Sequence, residues 1–235
     1  MDDGDGRLLA GANLSYRRPE LYDAMMGDDG VVAEVVRLVG EYAVPPSSVL
    51  DLGCGTGRHL AALRDEFGAE AVGVDLQSQM VEYGRRRHGV DLRYGDLTAV
   101  RLGRRFELVM CLGNSLSYLR SDEDLRAAAE TLRVHVGDRG LVVLSTLTTP
   151  RVESVKQTVR VEAGAIAATV EVMSAWDSVR RLQVTHRTWR HDDGTTDVDV
   201  LRRRVISVGE LATVLREAGF ADVRSVGTGL VVATV

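Results

Sequence analysis

The chain has 235 residues, of which 45% are apolar, and its formal net charge is −5. This length suits one large α/β domain, or one domain with a small addition, and the apolar fraction is enough for a full core. The negative charge argues against a nucleic-acid-binding surface, which is normally basic. Two cysteines are too few for a disulfide framework or a cysteine-based metal site.

The amino terminus does not resemble a targeting signal. Residues 1–5 are Met-Asp-Asp-Gly-Asp, whereas a signal peptide begins with basic residues and continues with apolar ones. No apolar run approaches the ~18 residues that a membrane-spanning helix needs. We therefore expect a cytoplasmic protein without membrane or nucleic-acid partners.

Residues 1–44 are predicted to form an amino-terminal unit of helices. Pro19 suits the first position of a short helix, and apolar residues recur at helical spacing over residues 31–43. Tyr16 lies just ahead of the short helix and Tyr22 lies within it. Both aromatic rings are candidates for contact with a ligand of the core that follows.

Residues 49–60 predict a strand, a tight loop and the start of a helix. The apolar run ends in Asp51, and Gly53, Gly55 and Gly57 follow at alternate positions. Glycines let a loop adopt positive φ and let a ligand lie against bare backbone. The N–H groups at the start of the helix could hold a carboxylate or a phosphate.

The spacing of this loop separates it from two common nucleotide-binding loops. The nicotinamide fingerprint is G-x-G-x-x-G, but Arg58 occupies the third glycine position here. The P-loop pattern also fails, because no Gly-Lys-Ser/Thr follows. A carboxylate at Asp51 would repel a pyrophosphate and would suit a ligand with an ammonium group, such as a sulfonium amino acid.

Residues 45–150 alternate between strand and helix patterns. This alternation implies right-handed crossovers and a doubly wound parallel α/β sheet, which binds ligands at the carboxyl ends of its strands. The segment 137–140 is predicted to be a turn, and Ser78 a helix N-cap. The predicted strands cover residues 47–51, 70–75, 91–94, 106–111 and 141–145.

The pattern changes after residue 150. Residues 151–206 show four stretches of alternating character separated by turn residues, which predicts an antiparallel β insert. Residues 207–235 begin with a capping box and continue with a helix and two closing strands. The insert strands are predicted at 159–163, 166–176, 179–189 and 196–206.

The segment Val-Leu-Asp-Leu-Gly-Cys-Gly-Thr-Gly at residues 49–57 resembles motif I of the class I S-adenosylmethionine-dependent methyltransferases. Asp75 matches the acid that ends the second strand in that family, and Asp96 matches the acid after the third strand. The fourth strand, 106–111, follows at the expected place. The resemblance covers residues 45–146 and implies a Rossmann-like sheet of seven strands.

The insert resembles that of bacterial amino-sugar N-methyltransferases and of glycine N-methyltransferase-like enzymes. In those proteins it covers the active site or builds the oligomer contact. The resemblance also implies that residues 1–44 include a lid over the cofactor, and that a homodimer is compatible with the sequence.

The resemblance implies S-adenosyl-L-methionine as cofactor and S-adenosyl-L-homocysteine as its product. It assigns the loop glycines to the methionine part, Asp51 to the amino group, Asp75 to the ribose hydroxyls and Asp96 to the adenine. For Asp75 and Asp96 the alternative is turn formation or helix capping. The cofactor-binding candidates are Tyr16, Tyr22, Asp51, Gly53, Cys54, Gly55, Thr56, Gly57, Asp75, Leu76, Gly95, Asp96, Leu97, Cys111, Leu112 and Gly113.

The acceptor side is predicted from fewer signals. Tyr118 and Asn114 follow the fourth strand, where acceptor-facing residues lie in this family, and His186 in the insert could act as a base. His59 could approach the cofactor, with packing as its alternative. No His, Asp or Glu spacing indicates a metal.

These features predict a methyltransferase that acts on N or O of a small molecule, such as an amino sugar or another secondary metabolite. The Asn-Pro-Pro-Tyr/Phe signature of DNA and protein-glutamine amide methyltransferases is absent. The alternatives are a regulatory or scaffold subunit that binds the cofactor, a nicotinamide-dependent enzyme, and a methyltransferase of macromolecules.

Overall fold

A computed structural model describes residues 11–27, 30–42, 45–153, 155–227 and 229–235. The predicted amino-terminal unit begins outside these residues, and the division of the chain into four units stays a prediction. The helices are α1 (Leu14–Arg17), α2 (Pro19–Met26), α3 (Val31–Tyr42), α4 (Arg58–Phe67), α5 (Ser78–His88), α6 (Asp122–His135) and α7 (Val208–Glu217), with a 3₁₀ helix at Ser115–Tyr118.

Seven strands form the main sheet in the order β10-β11-β5-β4-β1-β2-β3. All neighbours are parallel except β11, which runs antiparallel to both β5 and β10. The predicted seven-stranded Rossmann-like fold is therefore confirmed. These strands are β1 (Ser48–Leu52), β2 (Glu70–Asp75), β3 (Asp91–Tyr94), β4 (Phe106–Cys111), β5 (Val136–Ser145), β10 (Asp222–Val226) and β11 (Leu230–Thr234).

The strand order reverses at β1, which pairs with β2 on one side and with β4 on the other. A crevice opens at such a point because the connections on its two sides leave in opposite directions. Helices α3, α4 and α5 contribute to the apolar cluster on one face of the sheet. Helices α6 and α7 contribute to the cluster on the other face, so both faces are covered and the strands can be apolar throughout.

The insert folds as a separate four-stranded antiparallel sheet in the order β6-β7-β8-β9. Val170 and Trp189 on its inner face are fully buried and pack with Leu14 and Leu21 of the amino-terminal helices. On its outer face Val198 is 63% exposed. The four strands are β6 (Val155–Ala163), β7 (Ile166–Asp177), β8 (Leu182–His191) and β9 (Thr196–Arg204).

The structure corrects two local predictions. Residues 137–140 belong to β5 and do not form a turn, although the register with β4 shifts between Phe106 and Leu108. Gly140 fits this irregular stretch, because a Cβ there would lie 3.0 Å from the Phe106 carbonyl oxygen. Ser78 is the first residue of α5, and the N-cap is Gln77, without a side-chain capping bond.

Candidate active site

A pocket lies at the carboxyl ends of β1, β2, β3 and β4. It brings together candidate residues that are up to about a hundred positions apart in the chain, from the amino-terminal helices to the 3₁₀ helix. Its lining comprises Tyr16, Tyr22, Asp51, Gly53, Cys54, Gly55, His59, Asp75, Leu76, Gln77, Met80, Gly95, Asp96, Leu97, Leu112, Gly113, Ser115 and Tyr118.

The glycine loop between β1 and α4 forms the floor of this pocket. Gly53 has φ +77°, and a Cβ there would lie 2.6 Å from the Cβ of Ser115. The Ser115 hydroxyl lies 3.1 Å from the Gly53 carbonyl oxygen. Gly57 has a left-handed backbone and caps α4 without a side-chain bond. Only glycine combines easy access to a positive φ with the absence of a Cβ. The loop therefore presents bare backbone to a ligand.

Asp51 is the most unusual charged group of the pocket. It is 2% exposed, and its Oδ1 atom has no hydrogen-bond partner among the described residues. Burial, and then the neighbouring charge of Asp75, raise the pKa of Asp51 to about 7, while the Leu112 N–H opposes this shift. A buried carboxylate oxygen without a partner is costly. The site therefore fits a ligand that presents an ammonium group.

Asp75 ends β2 and connects three parts of the pocket. Its Oδ2 accepts a hydrogen bond from the Gly55 N–H at 2.7 Å, and its Oδ1 accepts one from the Gln77 N–H at 2.8 Å. The bond from Gln77 shows that Asp75 forms a turn, which is the alternative role that the sequence allows for this residue. Each carboxylate oxygen has further lone pairs, so the same group can also accept from two ligand hydroxyls.

Asp96 also combines a turn with a position in the pocket. Its Oδ1 accepts hydrogen bonds from the N–H and from the hydroxyl of Thr98, both at 2.8 Å. Gly95 and Leu97 flank it in the lining. The position of Asp96 after β3 agrees with the predicted place for an adenine contact, and that role stays a prediction.

The amino-terminal helices close the pocket with two tyrosines. The Tyr16 and Tyr22 rings stack with centroids 6.1 Å apart. The Tyr16 hydroxyl lies 2.8 Å from the Tyr118 hydroxyl, which belongs to the 3₁₀ helix after β4. Burial raises the pKa of Tyr22 to about 12 and holds that of Tyr16 well above its usual value. Both phenols are therefore neutral near pH 7.

Helix α2 is attached to the glycine loop by a side chain of its own. The Thr56 hydroxyl donates to Asp23 Oδ1 at 2.6 Å, and the His88 Nε2 atom lies 3.2 Å from Asp23 Oδ2. Arg58 donates to the Gly27 carbonyl oxygen at 2.5 Å. Thr56 thus faces the amino-terminal segment and is absent from the pocket lining.

Four other predicted residues also lie outside the lining. Gly57 packs towards Leu92 as the cap of α4. Cys111 is fully buried in β4, and this burial raises the pKa of its thiol. Asn114 adopts φ +64° and begins the 3₁₀ helix. His186 is exposed on β8, so its placement gives no support to a role as base.

His59, which the sequence suggests could approach the cofactor, lines the pocket, and so do three residues that were not predicted: Gln77, Met80 and Ser115. The sequence contains a weak signal for them. Each lies within five residues of a predicted position, on the helix or loop that follows a strand end.

None of the described residues forms a group of three or more His, Cys, Asp or Glu that could hold a metal ion. Among the helices of the described residues, none is long and apolar enough to cross a membrane.

Comparison with known proteins agrees with this geometry. Residues 49–140 match a family model described as a methyltransferase domain. A Streptomyces fradiae protein, dTDP-3-amino-3,6-dideoxy-alpha-D-glucopyranose N,N-dimethyltransferase, is 36% identical over 139 residues. That alignment covers 57% of this chain and 54% of the relative. The chain thus spans about half the length of the curated relatives that it matches.

Two solved structures are similar over nearly the whole fold. Streptomyces venezuelae DesVI has a TM-score of 0.80 and 25% identity, with 92% of this chain and 97% of that chain covered. CalS10, an amino pentose methyltransferase from Micromonospora echinaspora solved with bound S-adenosylmethionine, has a TM-score of 0.76 and 24% identity, with coverages of 91% and 94%. The likeness to CalS10 shows the fold alone.

The predicted resemblance is therefore confirmed. Residues 49–140 match a methyltransferase domain, and the chain shares its fold with DesVI and with the amino pentose methyltransferase CalS10.

Proposed function

We propose that the protein is an S-adenosylmethionine-dependent N-methyltransferase whose acceptor is an amino sugar carried on a nucleoside diphosphate. The observation that carries the proposal is the buried Asp51 oxygen without a partner, which faces a pocket built from the motif I loop and Asp75. The names of the relatives, which act on dTDP-linked amino sugars, support the choice of acceptor.

The residues of the pocket fit the cofactor. Asp51 would hold its ammonium group, Asp75 its ribose hydroxyls, and Asp96 with Leu97 its adenine, while Gly53 would lie beneath the methionine part. S-adenosylmethionine supplies a methyl group on a positively charged sulfur, which leaves as a neutral thioether. The chain therefore needs no general acid for the leaving group.

The chain contributes alignment and exclusion of water. Holding a nucleophile in line with a methyl group can supply several kcal/mol, about 7–11 for well-oriented reactants. The Tyr16 phenol is neutral near pH 7 and is hydrogen-bonded to Tyr118, so this pair is suited to orient an acceptor amine. The amine attacks in its neutral form and becomes a methylammonium product, and water can accept the extra proton from that product at the pocket mouth or after release.

The test is a pair of matched acceptors. We expect transfer of a labelled methyl group from S-adenosylmethionine to a dTDP-linked 3-amino-3,6-dideoxyglucose, and no transfer to dTDP-6-deoxyglucose, which differs only by a hydroxyl in place of the amine. Transfer to the hydroxyl sugar alone would favour O-methylation. Calorimetric titration with S-adenosylhomocysteine is the control for a formed cofactor site, and failure of the folded chain to bind it would refute the proposal.

The outer face of the insert sheet is suited to a homodimer contact. Met173 and Val198 expose apolar side chains there, at 48% and 63%. Light scattering during size-exclusion chromatography would check this part of the proposal. A scaffold role without catalysis is less favoured, because Tyr16, Tyr22 and Tyr118 line the pocket beside the proposed cofactor site.

A further inference from the structure

Two arginines on the insert sheet have buried nitrogen atoms without partners. They are Arg187 of β8 and Arg203 of β9, and the Nε atom of each is buried and makes no hydrogen bond within the described chain. Neither guanidinium forms an ion pair with a carboxylate of the described residues, in contrast to the exposed Arg190, which pairs with Glu171. A cation that loses water without gaining a counter-charge is costly.

The contacts that these arginines do make are with neutral hydroxyls. Arg187 donates to the Ser15 hydroxyl at 3.3 Å, and Arg203 donates to the Thr185 hydroxyl at 3.1 Å. Thr185 precedes Arg187 by two positions in β8, so the two side chains share a face of the sheet. Thr185 is 2% exposed, which identifies this face as the inner one.

The carboxylate opposite Arg187 in the ladder is committed elsewhere. Asp199 is the register partner of Arg187 on β9. Its Oδ1 accepts a hydrogen bond from the Leu14 N–H at 2.5 Å, and its Oδ2 accepts one from the Trp189 indole at 2.9 Å. Asp199 therefore anchors the amino-terminal segment rather than forming an ion pair with Arg187.

Arg187 is linked to the acceptor side of the pocket through the amino-terminal segment. Ser15, which accepts from Arg187, is the neighbour of Tyr16, and Tyr16 contacts Tyr118. The charge of Arg187 also acts to lower the pKa of Tyr16, against the larger effect of burial. Polar groups thus connect Tyr118 and Tyr16 with Ser15 and Arg187, and Arg203 lies on the same inner face beside Thr185.

We propose that Arg187 and Arg203 form a subsite for the diphosphate of the methyl acceptor. Guanidinium groups bind phosphate oxygens through paired, charge-assisted hydrogen bonds, and a diphosphate would supply the missing counter-charge. This inference rests on the proposed function and adds to it the residues that would recognise the nucleotide end of the acceptor.

The test uses dTDP, inorganic pyrophosphate and thymidine as probes of the full chain, titrated calorimetrically with and without S-adenosylhomocysteine. The variants are Arg187→Gln and Arg203→Gln. The matched controls are Arg190→Gln and Arg202→Gln, which remove the same charge from exposed positions on the same two strands. We expect each subsite variant to weaken dTDP binding by about tenfold or more, and each control to leave it unchanged.

The probes distinguish the sources of the phosphate. Binding of dTDP that exceeds that of pyrophosphate indicates that the nucleoside is recognised as well, and equal binding indicates recognition of the diphosphate alone. Both results support the subsite if the two variants lose the binding. Equal dTDP binding by the variants and controls would overturn it, and so would absence of dTDP and pyrophosphate binding by wild type.

Two further measurements separate loss of the subsite from loss of the fold. An unchanged melting temperature and unchanged S-adenosylhomocysteine affinity show that a variant is folded. Arg187→Lys and Arg203→Lys retain the charge but lose the planar fork, so we expect intermediate affinities. Methyl transfer to an amino sugar without phosphate, equal in wild type and variants, would support N-methyl transfer from S-adenosylmethionine whatever the fate of the subsite.

Discussion

The cofactor side and the acceptor side of the pocket are built in different ways. On the cofactor side, Asp75 and Asp96 lie at the ends of β2 and β3, and each accepts a hydrogen bond from the backbone N–H two positions ahead in the chain. On the acceptor side, Tyr16 meets Tyr118 from 102 positions away. The first side depends on local turn chemistry, and the second depends on how the amino-terminal segment and the insert pack. The two sides should therefore respond differently to substitution.

The largest effect is expected at Asp75. Replacement by Ala removes the acceptor for two loop N–H groups and for the ribose hydroxyls, which together correspond to about 2–3 kcal/mol. We expect S-adenosylmethionine affinity to fall by about 100-fold in calorimetric titration. Asp65→Ala on the exposed side of α4 is the matched control, and a wild-type affinity in Asp75→Ala would contradict the cofactor assignment.

A smaller and pH-dependent effect is expected at Asp51. Its pKa of about 7 means that the carboxyl group is mostly neutral at pH 6 and mostly ionised at pH 8. Only the ionised form attracts an ammonium group, so wild-type affinity for S-adenosylmethionine should rise by up to about tenfold over this range. Asp51→Asn should show a flat profile, and an equal rise in the variant would exclude Asp51 as its origin.

The same shift predicts the stability of the ligand-free protein. Because the pKa of Asp51 is raised in the folded state, folding is favoured by its proton at low pH, and this contribution is lost as the pH rises from about 4 to about 7. The melting temperature of wild type should fall relative to that of Asp51→Asn across this interval. A constant difference between the two melting temperatures would count against the raised pKa.

The smallest effect is expected at the tyrosine pair. Tyr118→Phe and Tyr16→Phe each remove one hydroxyl of a single hydrogen bond, so each should lower kcat by about fivefold while S-adenosylmethionine affinity stays unchanged. The double variant should lose no more than either single one, because both remove the same interaction. Tyr94→Phe, at an exposed tyrosine, is the control; additive losses would show that the hydroxyls act separately.

The sequence was sufficient to predict the sheet and the acids at its strand ends. Asp51 and Asp75 each follow an apolar run, Asp96 follows the short strand β3, and parallel strands carry their carboxyl ends to one edge. It was insufficient for Thr56, because its partner Asp23 lies 33 positions away and nothing local distinguishes that contact from a ligand contact.

The insert shows why strand alternation alone did not identify the inner face. Thr185 and Arg187 are polar, yet they lie on the inner face, while the apolar Val198 lies on the exposed one. Polarity therefore fails to separate the two faces at this end of the sheet. Because the sequence does not show which face of the insert is buried, it presents the exposed His186 as a candidate base. It assigns no role to the two arginines on β8 and β9.

The amino-terminal segment touches both sides of the pocket at once. Asp23 holds the glycine loop through Thr56, while Leu14 and Asn13 bond to Asp199 and Val200 of the insert. A ligand that orders one end of this segment lowers the ordering cost for a ligand at the other end. Linkage then requires that any effect of the cofactor on acceptor affinity through this segment be matched by an equal effect of the acceptor on cofactor affinity.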